Sequence, residues 1–550
     1  MKCSLRLAIL SVLGCVGHAI TPSVAADMGI SIVEIPQSMP SDEHLEQAGA
    51  RIGSIDIVVD DVFEQAIGLS APYRLANDLH VATRNKTIEN QLLFRPGEPY
   101  HRRVLNESAR LLRAQRYLND AEVEPIRYND DNTVDVRVRV HDVWTMNPGI
   151  SFGRKGGTNS TSAKFVDSNF LGLGKLLSVS RSSDVDRSSW ELGYMDPNVF
   201  GSWWRLEATH ASLSDGSEDA FATARPFYAM DSRWSASLAV LDSDKSMPRY
   251  SLGKQIDEFE LGKRKFDFNG GWSEGLRDGW VTRYRAGFRY DERQFTALPG
   301  THTDLPADRT LSYPYMGIEL IEDEYVNTRN LEQIGRQEDL YIGRSARLDL
   351  GFAAGAFGST HDAIVVEGAL TAGADLGSDQ YMTSGIEFHG RYEGGEFRSS
   401  LVELNARYFR RQSQRRVLFG SVRTSIANNL DGEEQLLLGG DTGLRGYPLR
   451  FQAGTLSTLA TLEERFYTQW QPLKLVNVGA AVFADAGRTW GRDDFAAPSA
   501  GWLSDVGVGL RLGSARSGLG NVLHIDIAMP LNRPTGVSGL QFLVETHSSF

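Results

Sequence analysis

Stretches in which apolar and polar residues alternate one by one run from about residue 146 to the end of the chain. In "RYRAGFRY", Tyr284 and Phe288 fall on one face and Arg285 and Arg289 on the other. The same alternation recurs in "WRLEATH", "RLDLGF", "VELNARY" and "VGVGLRL". A period of two residues is that of a β-strand with two different faces. The pattern therefore predicts a long series of antiparallel strands, each with one aliphatic or aromatic face.

Residues 51–143 carry a different pattern, in which strand and helix signals are mixed. "SIDIVV" (54–59) alternates, and residues 73–94 begin with a helical pattern. In "HRRVLNESARLLRAQRYL" (101–118) the apolar residues fall at helical spacing, and "DAEVEPIRY" and "TVDVRVRV" are again typical of strands. The predicted order is β-α-α-β-β, which indicates a compact α/β unit ahead of the strand series.

Residues 1–26 are typical of an export signal. Lys2 and Arg6 supply a positive end ahead of the apolar segment 7–20, which is too short to span a bilayer as a helix. Small residues then precede a cut after residue 25 or 26. An alternative is the lipoprotein-like box "VLGC", in which Cys15 would carry the lipid. Residues 27–50 then form an acidic linker. In either case the mature protein leaves the cytoplasm.

A strand series with two faces fits either a soluble β-sandwich or a membrane barrel. Three observations favour the barrel. The chain is predicted to be exported, tryptophan and tyrosine lie near the strand ends, and no later run of ~20 apolar residues occurs. A closed barrel also satisfies every backbone hydrogen bond in lipid, which an open sheet does not. We therefore predict that residues 146–550 form a transmembrane antiparallel β-barrel.

Composition and motifs exclude several other classes of function. The net charge of −13 argues against a nucleic-acid-binding surface. Cys3 and Cys15 are the two cysteines, so neither a disulfide framework nor a cysteine zinc site is available. The glycine spacing of "GVGLRLG" does not fit a dinucleotide loop, and no nucleophile elbow, phosphate loop or metalloprotease motif is present. The sequence thus predicts no enzyme activity, no cofactor, no metal and no nucleic-acid partner.

The stretch "GGDTGLRGYPLRF" (439–451) interrupts the alternation. It places Leu444, Arg445, Gly446 and Tyr447 in a loop rich in glycine. A solvated loop arginine is the ordinary interpretation of such a pattern. A barrel lumen offers another, because an arginine shielded from water can hold a carboxylate through two parallel hydrogen bonds and so fix a flexible loop.

A candidate partner for this arginine occurs in "VNVGAAVFADAGRTW" (476–490). Alternation puts Val482 and Ala484 on the lipid face, so Phe483, Asp485 and Gly487 point into the lumen. Asp485 is a lumenal carboxylate on a face that otherwise carries mostly small residues. The pattern therefore predicts space on the wall for the loop to pack.

The two motifs together resemble the BamA/TamA family, within the superfamily of outer-membrane assembly factors and two-partner-secretion transporters. "GLRGY" is similar to its Arg-Gly-aromatic loop motif and "VFADAG" to its Phe-x-Asp-x-Gly wall motif. By this resemblance, Arg445 is the arginine at the loop tip and Asp485 is its partner on the wall. "LLFRPGEPY", "AQRYL" and "VDVRVRVHD" make residues 51–143 similar to a POTRA domain, the family's periplasmic module.

The resemblance implies a mainly β protein in the outer membrane of a Gram-negative bacterium, with one POTRA-like domain in the periplasm and a barrel of sixteen strands. Sixteen strands allow about 25 residues for each strand and loop, and length alone tolerates fourteen to eighteen. The terminal Phe550 resembles the signal that outer-membrane barrels present to their assembly machinery, although Thr546 and Ser548 are poor matches at its apolar positions.

The function implied by the resemblance is insertion or translocation of polypeptides. Its expected partners are outer-membrane lipid, an unfolded or extended polypeptide client bound through the POTRA-like domain, and a periplasmic partner protein. The alternative is a passive pore or surface antigen, for which Arg283, Arg285 and Arg289 would line the lumen and favour anions. A hydrolytic enzyme is the third and weakest hypothesis.

Overall fold

The computed structural model describes residues 39–62, 80–516 and 521–548. The predicted export signal with Cys15, and the predicted terminal signal at Phe550, lie outside these residues. Among the described residues, no helix is long and apolar enough to cross a bilayer.

In residues 39–62 and 80–142, the part of the N-terminal domain that the structure describes, there are three helices and a three-stranded sheet. Its elements are α1 (Asp42–Gln47), β1 (Arg51–Asp60), α2 (Asn85–Glu89), α3 (Arg102–Arg113), β2 (Leu118–Tyr128) and β3 (Thr133–Asp142). The strand order is β1-β3-β2, with β1 parallel and β2 antiparallel to β3. β2 is therefore an edge strand of this sheet.

Alternation in β3 builds the core of this domain. The side chains of the four valines at the even positions 134 to 140 are completely buried, and they pack against the apolar face of α3, which contributes Leu105 and Leu112. Helix α1 lies within residues 27–50, and its Leu45 is buried in the same core. Burial of one such aliphatic side chain typically contributes about 1.5–3 kcal/mol, so this core is large enough to hold the small sheet together.

The remainder of the described chain consists mainly of strands. They are β4 (Met146–Lys155), β5 (Thr158–Phe170), β6 (Lys175–Ser183), β7 (Ser188–Asp196), β8 (Arg205–Leu213), β9 (Gly216–Arg225), β10 (Trp234–Ser251), β11 (Lys254–Arg277), β12 (Trp280–Ala297), β13 (Arg309–Glu322), β14 (Tyr325–Arg329), β15 (Gln337–Tyr341), β16 (Arg344–Ala353), β17 (Ala363–Gly377), β18 (Gln380–Glu393), β19 (Glu396–Ser413), β20 (Arg416–Asn428), β21 (Leu436–Leu438), β22 (Gln452–Gly454), β23 (Leu456–Tyr467), β24 (Val476–Trp490), β25 (Leu503–Ser514), β26 (Asn521–Pro530) and β27 (Gln541–Ser548). Short 3₁₀ helices occupy Val199–Gly201, Gly355–Phe357 and Pro472–Lys474.

Twenty of these strands close into one antiparallel barrel, whereas β14 pairs with β15 and β21 with β22 in two small sheets within loops. The predicted mainly β class with a closed antiparallel barrel is confirmed. The predicted sixteen strands, and the range of fourteen to eighteen, are wrong. Connections such as 156–157, 252–253 and 394–395 have only two residues, and β6 and β7 have nine each. Each strand with its loop therefore uses fewer residues than the prediction assumed.

The two faces of the barrel wall differ as the alternation predicts. On neighbouring strands, Leu462, Val482, Val508, Ile527 and Phe542 are among the large apolar side chains that remain exposed on the outside. The residues that alternate with these along each strand point inward, and they include most of the buried charged groups of these strands. An apolar outside and a polar inside are what a barrel in lipid requires.

The N-terminal domain packs against one end of the barrel, which we call the domain end. The backbone N–H of Trp144 donates to the carbonyl of Arg516 at 2.8 Å, and the carboxylate of Glu107 accepts the N–H of Met230 at 2.7 Å. The connection between β13 and β16, residues 323–343, lies at this end and carries the β14–β15 sheet. The connection between β20 and β23 lies at the opposite end.

Candidate functional site

The segment that interrupts the alternation in the sequence, residues 439–451, lies inside the barrel; we call it the arginine loop. It belongs to the connection between β20 and β23, and the β21–β22 pair closes its base. Backbone hydrogen bonds from Gly440 to Pro448 and from Leu444 to Gly439, at 2.9 and 3.0 Å, make the loop compact. Gly443 has a φ of +118°, a conformation that favours glycine.

The structure brings Arg445 and Asp485 together. The Nε of Arg445 donates to one carboxylate oxygen of Asp485 at 2.7 Å, and its Nη2 donates to the other at 2.9 Å. The guanidinium also lies over the ring of Phe483, 3.3 Å from the ring centroid. A bidentate contact combined with a stacked ring fixes both the position and the plane of the guanidinium.

Arg445 contacts two further carboxylates on the wall. Its Nη1 donates to Glu463 at 2.8 Å and approaches Asp526 at 3.4 Å. Asp505 lies beside Asp485 on the next strand and accepts the backbone N–H of Gly446 at 3.0 Å. These four carboxyl groups, one on each of the strands β23 to β26, are all almost completely buried, and we call them the acidic wall.

The electrostatics of the site are dominated by this wall. Burial by itself would lower the pKa of Arg445, but the carboxylates of Asp485, Glu463 and Asp526 outweigh that effect and hold the pKa of the guanidinium above its usual range. Arg445 therefore stays charged in the lumen. The side chain is only 12% exposed, so its ion pairs are weakly screened by solvent and salt.

The neighbours of Arg445 hold the loop by packing. Leu444 and Tyr447 are completely buried, in a cluster with Leu438, Leu459 and Leu503. The hydroxyl of Tyr447 lies 2.9 Å from the carbonyl of Ser504. These contacts attach the loop to β23 and β25 as well as to β24.

Two glycines of the predicted motifs are explained by close approach. A Cβ on Gly446 would lie 2.6 Å from the Cβ of Asp505. A Cβ on Gly487 would lie 3.2 Å from Leu438 and 3.3 Å from Leu444. The loop thus packs directly on the wall at both places, and a larger residue would push it away.

Several charged residues of the site were not predicted from the sequence. Glu463, Asp505, Asp526, Arg465 and Arg511 surround the Arg445 pair. The Nη2 of Arg511 donates to Glu463 at 2.8 Å, its Nη1 donates to Asp526, and the Nε of Arg465 donates to Glu463 at 2.7 Å. All five lie at inward positions of their strands. Charged residues at the alternate positions that point into the lumen, in the last strands of the barrel, are the signal that would have found them.

The three arginines considered for an anion-conducting pore are paired with acids. Arg283 donates to Glu319 at 3.3 Å and Arg285 to Asp349 at 2.8 Å. Arg289 donates to Asp267 at 2.7 Å and also contacts Glu367. Pairing neutralises the field that would attract anions.

Three acidic residues in the connection between β20 and β21 are also paired with arginines. Asp431, Glu433 and Glu434 lie close enough to hold a cation together. Arg391 donates to both carboxylate oxygens of Asp431 at 2.7 and 2.8 Å, and Arg309 binds Glu433. The arginines supply the positive charge that a metal ion would bring, so the cluster stabilises the base of the loop connection.

A closed barrel with an apolar outside, holding an inner loop by one arginine on a wall of carboxylates, defines a class of outer-membrane barrels rather than a soluble sandwich. Residues 377–546 match the Omp85 superfamily domain. The match includes the arginine loop and the acidic wall. The predicted resemblance is thereby confirmed at the level of the superfamily, and with it the outer-membrane location. Members of the superfamily are assembly factors and transporters rather than enzymes, in agreement with the prediction.

Proteins similar to this chain have low sequence identity to it. A protein of Treponema pallidum (strain Nichols), whose name describes an outer membrane protein assembly factor, is 25% identical over 172 residues, which are 29% of this chain and 20% of that protein. CdiB from Acinetobacter baumannii has a TM-score of 0.46 and 13% identity, over 90% of this chain and 73% of CdiB. BamA from Haemophilus ducreyi lacking POTRA domains 1–3 has a TM-score of 0.37 and 14% identity, over 90% of this chain and 85% of that one.

Proposed function

We propose that this protein inserts or translocates polypeptides at the bacterial outer membrane, without a nucleotide or cofactor. The observation that carries the proposal is the seam where the barrel closes. Among the described residues, β27 and β4 align one residue pair, Val544 with Arg154. The shortest of the other ladders of the barrel, between β13 and β16, aligns seven pairs. A seam with so few backbone hydrogen bonds is the least costly place to open the wall toward lipid.

The arginine loop holds this seam from inside. Gly156, in the turn that joins β4 to β5, lies against Pro448 and Leu449, so that a Cβ on Gly156 would overlap the backbone of both. Across the seam, Lys155 pairs with Glu545. These contacts support a role for the loop in keeping β4 against β27 until a client is present.

The N-terminal domain offers a groove for an extended client. The groove has a volume of about 370 Å³ and is bordered by α3, by the edge strand β2 near Ala121, and by the hairpin of residues 323–343. An edge strand can accept an added strand through its backbone groups. We propose that residues 51–143 act as a POTRA-like domain in the periplasm and capture a client strand, or a partner protein, in this groove.

A passive pore is the alternative function, and the same residues argue against it. The arginine loop and the tip of hairpin 323–343 both lie within the lumen, and Arg283, Arg285 and Arg289 are neutralised by acids. In planar-bilayer recording we expect small currents that grow when Arg445 is replaced. A large and stable open conductance of the parent protein would favour the pore.

Depletion of the protein tests the proposal in cells. We expect the surface level of at least one outer-membrane barrel or secreted protein to fall, as measured by quantitative proteomics of the outer membrane. Restored expression of the parent chain should rescue that level, and expression of Arg445→Ala at the same abundance should not. An outer-membrane proteome that stays unchanged on depletion would contradict the proposed function.

Substitution of Gly156 tests whether the loop holds the seam. Gly156→Ala places a Cβ against Leu449, so either the loop or the β4–β5 turn has to move. We expect faster tryptic cleavage of the loop after Arg450. Gly157→Ala is the matched control, because Gly157 also has a positive φ, +86°, but has nothing within 4 Å of its Cβ position. Both variants bear a backbone strain of about 1–2 kcal/mol, so equal cleavage of the two would show that the contact with the loop is irrelevant.

A further inference from the structure

The hairpin between β13 and β16, residues 323–343, has a tip that enters the lumen from the domain end; we call it the inner hairpin. Its strands β14 and β15 pair from Tyr325–Tyr341 to Arg329–Gln337. At the tip, Leu331 and Ile334 are 1% and 6% exposed. They pack against inward side chains of five wall strands, namely Tyr381, Phe409, Val417, Tyr467 and Val522. The inner hairpin is thus a second plug, on the side opposite the arginine loop.

Polar contacts tie the hairpin tip to the wall near the site. The carbonyl of Ile334 accepts a hydrogen bond from Asn477 at 2.7 Å, and Glu332 pairs with Arg407. The carbonyl of Leu331 accepts a hydrogen bond from Arg465 at 2.7 Å. Arg465 and Asn477 belong to β23 and β24, the strands that also carry two members of the acidic wall.

The root of the inner hairpin is held by the N-terminal domain. Arg113 donates to both carboxylate oxygens of Asp339 at 2.7 and 2.8 Å, and Arg110 donates to Asp323 at 3.1 Å. Arg336 of the hairpin donates to the carbonyl of Leu118, at the start of edge strand β2, at 3.0 Å. The proposed client groove is bordered by Arg113 and Asp339, so a strand added to β2 would enter the space that this ion pair occupies.

Both plugs meet on one carboxylate. Glu463 accepts a hydrogen bond from Arg445 of the arginine loop at 2.8 Å and from Arg465, which holds the hairpin tip, at 2.7 Å. A continuous series of contacts therefore runs from the groove through the inner hairpin and Arg465 to Glu463 and Arg445. Coupling between distant sites requires an element that both sites bias, and the inner hairpin has this position.

We propose that the inner hairpin is a coupling element. A polypeptide strand bound at β2 displaces Asp339 from Arg113, and the hairpin tip then leaves the wall. As a result, the arginine loop is bound less tightly to the acidic wall. The identity of the ligand, an extended polypeptide, rests on the proposed function; the physical coupling between hairpin and loop does not. Because coupling is reciprocal, release of the loop also weakens docking of the hairpin.

Asp339→Asn tests the coupling directly, because it keeps the side-chain shape and removes the ion pair with Arg113. The readout is tryptic cleavage of the purified full chain after Arg450, in the arginine loop, followed by mass spectrometry. Coupling of ordinary strength predicts a rate increase of roughly 2- to 30-fold. Asp231→Asn is the matched control, since Asp231 pairs with Arg103 of the same helix but lies in the β9–β10 connection.

A reversible crosslink tests whether the signal passes through the hairpin. A Cβ on Gly513 would lie 3.3 Å from the Cβ of Ile334, close to the separation of about 3.5–4.5 Å in disulfides. In the triple variant I334C, G513C, D339N, oxidation should return loop cleavage to the parent rate, and reduction should restore the faster rate.

Two results would overturn the coupling. One is a loop in Asp339→Asn that is cleaved no faster than in the parent or in Asp231→Asn. The other is cleavage that stays fast when the tip is crosslinked to the wall. The proposed function is tested separately, by depletion of the protein. An unchanged outer-membrane proteome would contradict that function without affecting the cleavage results.

Discussion

Arg445→Ala is expected to release the arginine loop while the barrel still forms. The substitution leaves the buried carboxylate of Asp485 without a cation, whereas Glu463 and Asp526 keep Arg511. Loss of one member of a buried ion pair typically costs about 3–5 kcal/mol. The strand ladder does not involve this side chain, so barrel assembly is preserved. Tryptic cleavage after Arg450 should become rapid, and client delivery should fall in parallel.

The contacts of Arg445 predict how strongly related variants expose the arginine loop to cleavage. Arg445→Lys should recover only part of the protection, because an ammonium group does not form the bidentate contact with Asp485. Asp485→Ala should cost less than Arg445→Ala, since Glu463 and Asp526 still bind the guanidinium. The double variant should be less than additive. Arg492→Ala is the control that should leave cleavage unchanged, because Arg492 lies in a loop at the same end and its side chain is 87% exposed. Strictly additive effects of Arg445→Ala and Asp485→Ala would mean that the two residues do not act as a unit.

Glu463→Ala is expected to have the second large effect, because it removes the acceptor of three arginines at once. Arg445, Arg465 and Arg511 all donate to this carboxylate, which is 3% exposed. The loss removes the carboxylate to which Arg465 donates and leaves Arg445 and Arg511 with one carboxylate fewer each, with a cost of about 3–5 kcal/mol. We expect a lower unfolding temperature of the barrel in detergent, together with rapid loop cleavage.

Glu464 provides the control for Glu463, since it is the next residue on the same strand and points to the other face. It pairs with Arg416 at 2.8 Å and is not part of the acidic wall. Glu464→Gln should leave loop cleavage at the parent rate. If Glu463→Gln behaved like Glu464→Gln, the carboxylate would not be the point at which the two plugs meet.

Alternation predicted the class of fold, and the resemblance of two motifs to the BamA/TamA family implied the pair Arg445 and Asp485. Inward parity in "VFADAG" depends only on the period of a strand, so it holds wherever the strand lies in the barrel. The number of strands was not predictable in this way, because two-residue turns such as 156–157 leave little trace in the alternation. For that reason sixteen strands were predicted where the barrel has twenty.

The rest of the site depends on contacts between segments distant in the chain. Glu463 and Arg465 were not predicted as site residues, because alternation can place a side chain on the inner face of its strand but does not show that it faces Arg445 or the carbonyl of Leu331. Such meetings follow from closure of the barrel, which places β23 to β26 side by side and brings a hairpin rooted at β13 across the lumen to them. The sequence by itself determined that the chain forms two-faced strands and which residues of each strand share a face, because these are set by local periodicity, and the resemblance of its motifs singled out the arginine of the loop. Only the tertiary structure decided which charges meet, because that depends on how the wall closes around the two plugs.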